Sequence, residues 1–169
     1  MLDVGAFDHH GFMRQALQEA RAALRRGDVP IGAVVVHGNL VVGRGSSTRN
    51  TSACHISHAE LNALLSCSQY LCEHHDECIV YSTVEPCPMC LGAIVMWDIH
   101  HVVFGAFDYR AGATHMVERV PYVAHHIRTY LGGVLEDECL DPIRQYSEAD
   151  ADVIQGKIHP FRTPPQLGS

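Results

Sequence analysis

Four side chains in this 169-residue chain have the types and spacing to do chemistry together: His58 and Glu60 in His58-Ala59-Glu60, and Cys87 and Cys90 in Pro86-Cys87-Pro88-Met89-Cys90. Cysteines at i and i+3 share one face of a helical turn and can point both sulfurs at one metal ion. A catalytic zinc takes three protein ligands and keeps its fourth position for water. His58 supplies the third ligand from another helix start, and Glu60 stands beside the fourth position without ligating. Two thiolates and a neutral imidazole cancel the charge of Zn²⁺, so this donor set acidifies water less than three histidines would. A neighbouring carboxylate is then needed to take the proton. A lone Cys-x-x-Cys would read as a redox pair, and a lone His-x-Glu as surface decoration. Here both motifs occur, and both open helices, where the positive end of the dipole favours thiolate.

The elements that must position these residues are legible from periodicity. Met13, Ala16, Leu17, Ala20 and Leu24 recur at helical spacing, with Asp8 to cap the start and Gly27 to end it. The β-branched run Ile31 to Val36 turns at His37-Gly38-Asn39 into Leu40 to Gly43, a hairpin. A polar loop is expected from Arg44 to Ser57. A second helix begins at Ser57-His58-Ala59-Glu60, a strand follows at Ile79 to Thr83, and a third helix opens at Pro86-Cys87-Pro88, where proline suits the first turn. His101 to Gly105 reads as a strand and Ala106 to about His125 as a long loop. Ile127 to Leu131 reads as a short strand, followed by a helix from about Val134 that Pro142 is expected to break. Strands alternating with helices imply βαβ units. The expected fold is α/β, a three-layer α/β/α arrangement around a mixed sheet of about five strands. Residues 1–147 form the expected domain. Residues 148–169 are a partly irregular C-terminal extension whose last part, Thr163 to Ser169, reads as a frayed tail.

Composition narrows the class. Lysine and arginine total 12 against 19 acidic residues, giving a net charge of −7, and Lys157 is the single lysine. The scattered arginines form no stripe that would track a phosphate backbone. No apolar run approaches the ~20 residues of a membrane span, and the first ten residues lack the basic start of a secretory signal. Seven cysteines, an odd number at irregular spacing, fit a reducing compartment, so the expected location is cytoplasmic. A second cluster, Cys67, Cys72, His74, His75 and Cys78, reads as a polar connection with buried thiols, with a second structural zinc as its alternative. Cys54 and Cys139 read as core or loop thiols. The pairs His9-His10, His100-His101 and His125-His126 read as exposed loop or strand-end residues.

The order His-x-Glu, then Pro-Cys-x-x-Cys, is the signature of zinc-dependent base deaminases. Over residues 8–146 the chain resembles the cytidine deaminase-like superfamily, in the branch that holds tRNA-specific adenosine, cytosine and guanine deaminases. The resemblance rests on Val29-Pro30-Ile31-Gly32-Ala33-Val34, on His58-Ala59-Glu60, and on Glu85 through Ile94. Val103-Phe104-Gly105-Ala106 and Gly133 through Cys139 look most like the tRNA-editing members. It implies a homodimer, one Zn²⁺ per subunit held by His58, Cys87 and Cys90, and hydrolytic loss of ammonia with Glu60 as the proton shuttle. Family members commonly carry a substrate-binding asparagine after the second strand. Here that place falls on Ser46-Ser47, with Asn50 three residues on, and the tail Glu148-Ala149-Asp150-Ala151-Asp152 is acidic where the tRNA-editing members have a basic one.

The expected function is therefore hydrolytic deamination of a small aminated nucleobase, nucleoside or related heterocycle. Ser47, Asn50, Phe107, Asp108 and Tyr109 are the candidate substrate contacts. One alternative substrate is the wobble adenosine of a tRNA, bound through Arg25, Arg26, Arg44, Arg49 and Arg110. A non-catalytic zinc-binding dimeric scaffold is the alternative of another class.

Overall fold

The computed structural model describes residues 2–158; the stretch from Thr163 to Ser169 lies outside them. The elements run α1 (His9–Arg26), β1 (Gly32–His37), β2 (Leu40–Ser46), α2 (Ala59–Ser66), α3 (Ser68–His74), β3 (Cys78–Val84), α4 (Pro88–Met96), β4 (His101–Ala106), α5 (Thr114–Arg119), α6 (Pro121–His126), β5 (Thr129–Leu131), α7 (Glu136–Tyr146) and α8 (Glu148–Ile154). The strands form one mixed sheet in the order β2-β1-β3-β4-β5. β1 pairs antiparallel with β2 and β3, whereas β3–β4 and β4–β5 are parallel. No helix among the described residues is long and apolar enough to cross a membrane.

Strand alternation divides the core into two layers. Ala33, Val35, Val80, Val102 and Phe104 face Ala59, Ala63, Leu64, Leu91 and Ile94 of α2 and α4. Val34, Val36, Ile79, Tyr81 and Val103 face Met13, Ala16, Leu17, Leu140 and Ile143 of α1 and α7. The result is the expected three-layer arrangement. β3 is buried along its whole length, as a central strand covered on both faces must be. α1 begins and ends as its sequence indicates: the Asp8 carboxylate accepts from the Gly11 amide, and Gly27 takes the left-handed conformation at φ 80°.

Five local expectations need correction. β2 continues to Ser46, past the expected end at Gly43, because Gly43 and Gly45, the latter expected in the loop, lie where α2 rests on the strand. A Cβ at Gly45 would run into the Ala63 amide and the Ala59 carbonyl. The connection carrying Cys67 to Cys78 holds a short helix, α3, followed by a 3₁₀ turn. The long loop after β4 contains two single-turn helices, α5 and α6. Pro142 does not break α7; it sits buried inside the helix, whose first turn holds Glu136, Asp137 and Glu138. Beyond Ser147, where apolar periodicity fades, the chain forms one more helix, α8, that buries Ala151 and Ile154.

The loop from Ser47 to Ser57 has few apolar residues and is held by polar contacts. Asp28, fully enclosed although shallow beneath the surface, accepts from the Asn50 amide, the Thr51 amide and the Thr51 hydroxyl, each at 2.9 Å, and from Arg26 Nε at 3.2 Å. Burial alone would raise the affinity of Asp28 for a proton; these donors overcome it and hold the carboxyl below its usual range. Asp28→Asn sets an amide against those donors and is expected to lower stability at pH 7 by about 1–3 kcal/mol. Because the folded-state pKa is depressed, this contribution is present above about pH 4 and is lost as pH falls through the folded-state value. Urea unfolding curves of the two proteins should therefore differ at pH 7 and converge in acid.

Candidate metal centre and active site

The functional side chains gather where two helices start beside the end of β3. His58 is the residue before the first turn of α2, in extended backbone geometry, and Glu60 lies in that first turn. Cys87 holds the same position before α4, with Pro88 opening the helix. Cys90, one turn on, is fully buried. His58 Nδ1 is 3.6 Å from Cys87 Sγ and 3.5 Å from Cys90 Sγ. These three donor atoms form the one group of potential metal ligands among the described residues. Zinc bonds of about 2.0–2.1 Å to nitrogen and 2.3 Å to sulfur give a tetrahedral S···N edge of about 3.5 Å. The residues fit the ion. Cys67, Cys72 and Cys78 form no such group: Cys72 is exposed, and burial pushes the Cys67 and Cys78 thiols up to about 11 and about 12.

The two sulfurs share one negative charge. A hydrogen bond from Cys90, reinforced by His58, pulls Cys87 down to about 4 against the opposing effect of burial. The same Cys87–Cys90 bond, and burial, push Cys90 up. His58 is raised chiefly by its hydrogen bond to Cys87. A thiolate is thus in place before any cation arrives, and a metal displaces the remaining proton.

Glu60 is buried, and burial raises its proton affinity. Its carboxylate accepts from Ser82 Oγ at 3.1 Å through one oxygen, while the other lies 3.5 Å from Cys90 Sγ. Glu60 therefore sits beside the ligand cluster without belonging to it. A cavity of about 130 Å³ opens over these residues. That is near the size of an engineered apolar cavity that holds one benzene ring, and well below the ~300–1,000 Å³ of a drug-sized site. Val29, Ile31, Val84 and Ile143 give it apolar walls; Ser47, Arg49, Asp108 and Arg110 add polar ones.

The structure brings Ser47 and Asp108, but not Asn50, Phe107 or Tyr109, to the cavity wall. The Ser47 hydroxyl is buried and has no partner among the described residues. Asp108 accepts from the Arg110 and Ala111 amides, with burial raising its pKa. The Asn50 side chain is spent on the Gly27 carbonyl and the Tyr146 hydroxyl. Phe107 packs edge-on against Phe104, and Tyr109 is 73% exposed. These departures share a cause. Loop composition names the residues that a loop offers, whereas tertiary hydrogen bonding decides which way each turns.

Sequence reasoning gave no role to Glu85 or Ser82, or to the α7–α8 side chains Ile143, Tyr146, Asp150 and Ile154, which complete the cavity wall. Glu85 is buried and ties the segment after β4 to the end of β3. It accepts from the Asp108 amide at 3.2 Å, the Thr114 amide and hydroxyl at 2.7 Å each, and the Tyr130 hydroxyl at 3.4 Å. Its place directly before Pro86-Cys87 was the available signal.

A three-layer α/β/α fold that joins a His-Cys-Cys donor set to a buried glutamate in one small cavity defines a zinc-dependent hydrolytic deaminase. Residues 7–106 match the family model of the cytidine and deoxycytidylate deaminase zinc-binding region, and the chain belongs to that family. It is 35% identical over 133 residues to the tRNA-specific adenosine deaminase of Bacillus subtilis (strain 168), a match covering 76% of this chain and 81% of that protein. A solved structure from a study of A-to-I editing by tRNA:A34 deaminases superimposes with a TM-score of 0.71 at 32% identity, covering 78% of this chain and 98% of that one. The guanine deaminase of Bacillus subtilis superimposes with a TM-score of 0.55 at 31% identity, over 68% of this chain and 71% of that one.

Glu85→Gln turns one of four inward-facing acceptor contacts into a donor–donor clash. It is expected to lower stability by about 1–3 kcal/mol. Thermal unfolding should show a lower midpoint, while metal analysis finds zinc still bound.

Proposed function

We propose that this chain hydrolyses the exocyclic amine of a free nucleobase, nucleoside or related heterocycle, so that an amino-substituted ring carbon and water become a ring carbonyl and ammonia. The observation that carries this reading is the meeting of His58, Cys87 and Cys90 with Glu60 under a cavity of single-ring size. His58, Cys87 and Cys90 hold the ion. Bound there, Zn²⁺ polarises a water molecule as a Lewis acid. Glu60 accepts a proton from the attacking water and delivers it to the ring nitrogen next to the amine-bearing carbon. It then carries a second proton to the departing nitrogen, which leaves as ammonia. Burial raises its proton affinity towards the range where both transfers are feasible, and Ser82 fixes one of its oxygens. Ile31, Val29 and Ile143 clamp the ring faces, and Ser47 and Asp108 meet its polar edge.

The 35% identity to a tRNA-specific adenosine deaminase favours a second reading, the wobble adenosine of a tRNA. The arginines such a substrate would use are largely engaged within the chain: Arg26 with Asp28, Arg44 with Glu19 and Gln15, and Arg49 with His55. With a net charge of −7, the polyanion is the less well supported substrate. The scaffold reading is weaker still, because Glu60 is present and buried beside the donors.

The working form we propose is a homodimer. α4 is apolar on all sides, and its Met89 and Met96 are exposed, as is Leu65 of α2. A helix apolar all round belongs inside an assembly. The abundance of free thiols supports a cytoplasmic location.

Glu60→Ala is expected to keep one zinc per chain while kcat falls about 10²–10⁴-fold. Ammonia release over a panel of bases, nucleosides and an anticodon stem-loop, read beside metal analysis, checks it; retained turnover sinks the assignment. Met96→Glu places a charge in the proposed dimer face. Sedimentation velocity should show a dimer for the parent chain and a monomer for this variant.

A further inference from the structure

The deaminase site acquires its fourth wall from a segment outside the residues that carry the catalytic motifs. α8 turns back from α7 at Ser147, whose hydroxyl accepts from the Asp150 amide. It is latched at its far end by the Tyr109 amide donating to the Ile154 carbonyl at 2.9 Å. Ala151 and Ile154 are buried beneath it, and Gly156, at φ 70°, lets the chain pass against the Tyr109 ring. At the near end, Asn50 donates to the Tyr146 hydroxyl at 3.1 Å, joining the α7–α8 corner to the opposite loop. Tyr146, Asp150 and Ile154 all border the cavity. Asp150 is half-buried there, and no donor among the described residues reaches its carboxylate.

We propose that α8 is the specificity element of this site: it roofs the cavity over the ring of a free base or its nucleoside, and offers the Asp150 carboxylate to an N–H of the ring other than the amine that leaves. The proposal rests on the deaminase reading above and deepens it. A base presented by a polynucleotide brings flanking phosphates to the mouth, where α8 places the carboxylate of Asp150. Polymer binding draws its affinity from several phosphate contacts at once. Arg49 and Arg110, the two arginines bordering the cavity, are too few for that. A detached heterocycle carries no such charge. It gains instead from each polar wall group that finds a partner, because an unpaired carboxylate in an enclosed site selects for a donor opposite it.

The test uses the full-length zinc-loaded chain with adenine, guanine, cytosine, their nucleosides, and a 17-nucleotide anticodon stem-loop carrying adenosine at the wobble position. At least one free heterocycle should be turned over, and the stem-loop should be at least 100-fold poorer in kcat/KM. Asp150→Asn should raise KM for the preferred heterocycle about tenfold or more while kcat, zinc content and melting temperature stay within error, the expected signature of a lost charged hydrogen bond made in the ground state. Stem-loop turnover equal to that of the best heterocycle, or an unchanged KM in Asp150→Asn, would overturn the proposal and leave the deaminase reading standing. Should no substrate release ammonia, the deaminase reading fails, and the roof is judged separately by hydrogen exchange on the zinc-loaded Glu60→Gln variant. Slowed exchange at the α8 amides when a free base or nucleoside from the panel binds supports the roof; unchanged exchange with all of them overturns it.

Discussion

The meeting of two helix N-termini at the end of one buried strand is the constraint on which the rest of this molecule depends. β3 runs through the middle of the sheet with both faces covered, so its exit is a fixed point. α4 starts within four residues of that exit, and α2 is held against β2 by a contact that admits no side chain at Gly45. With both helices pinned, His58 and the two cysteines have little freedom, and their donor atoms fall at the edge lengths of a tetrahedral ion. Cys87 also stands at the N-terminus of α4, where a helix offers partial positive charge to an anion.

A buried carboxylate with no cation bonded to it is a costly feature in any core, and Glu60 is such a group. The chain relieves that cost only in part, with the Ser82 hydroxyl, the Cys90 thiol and a backbone amide, and burial still leaves a carboxyl that holds protons more readily than an exposed glutamate. Full hydrogen bonding would have made Glu60 a fixed acceptor. Glu85, 25 positions on, shows the other solution: four donors converge on it, and it serves to hold the segment after β4 in place. The two buried glutamates thus differ in setting: Glu60 sits against the His58, Cys87 and Cys90 group, whereas Glu85 is tied to Asp108, Thr114 and Tyr130.

The chemistry was far more legible in the sequence than the shape of the cavity. His58, Glu60, Cys87 and Cys90 could be read because their function requires residue types at short, fixed separations, and local helical geometry does the rest. The layers were legible because strand alternation and helix periodicity are local too. Gly45 misled because a glycine in a strand and a glycine in a turn look alike until the opposing backbone is known. Pro142 misled because a helix packed against the sheet tolerates one missing hydrogen bond. Asn50, Phe107 and Tyr109 were plausible by type, yet Asn50 is turned by the distant Gly27, Phe107 by its packing on Phe104, and Tyr109 faces solvent.

α8 was the least visible part, and the reason is general. Its seven residues hold three acids and only two aliphatic side chains larger than alanine, Val153 and Ile154, and in isolation so short a segment does not form a stable helix. It exists because Ala151 and Ile154 find a surface already built by the residues before them, and because the Tyr109 amide is left open to receive its last turn. An element of this kind is cheap to alter: its helix contributes little to the core, while its side chains border the cavity. Variation in substrate among chains that keep the same four chemical residues is therefore most easily placed here, in the last element to dock, where a change of one polar side chain alters what the cavity accepts without disturbing the ion, the glutamate or the sheet beneath them.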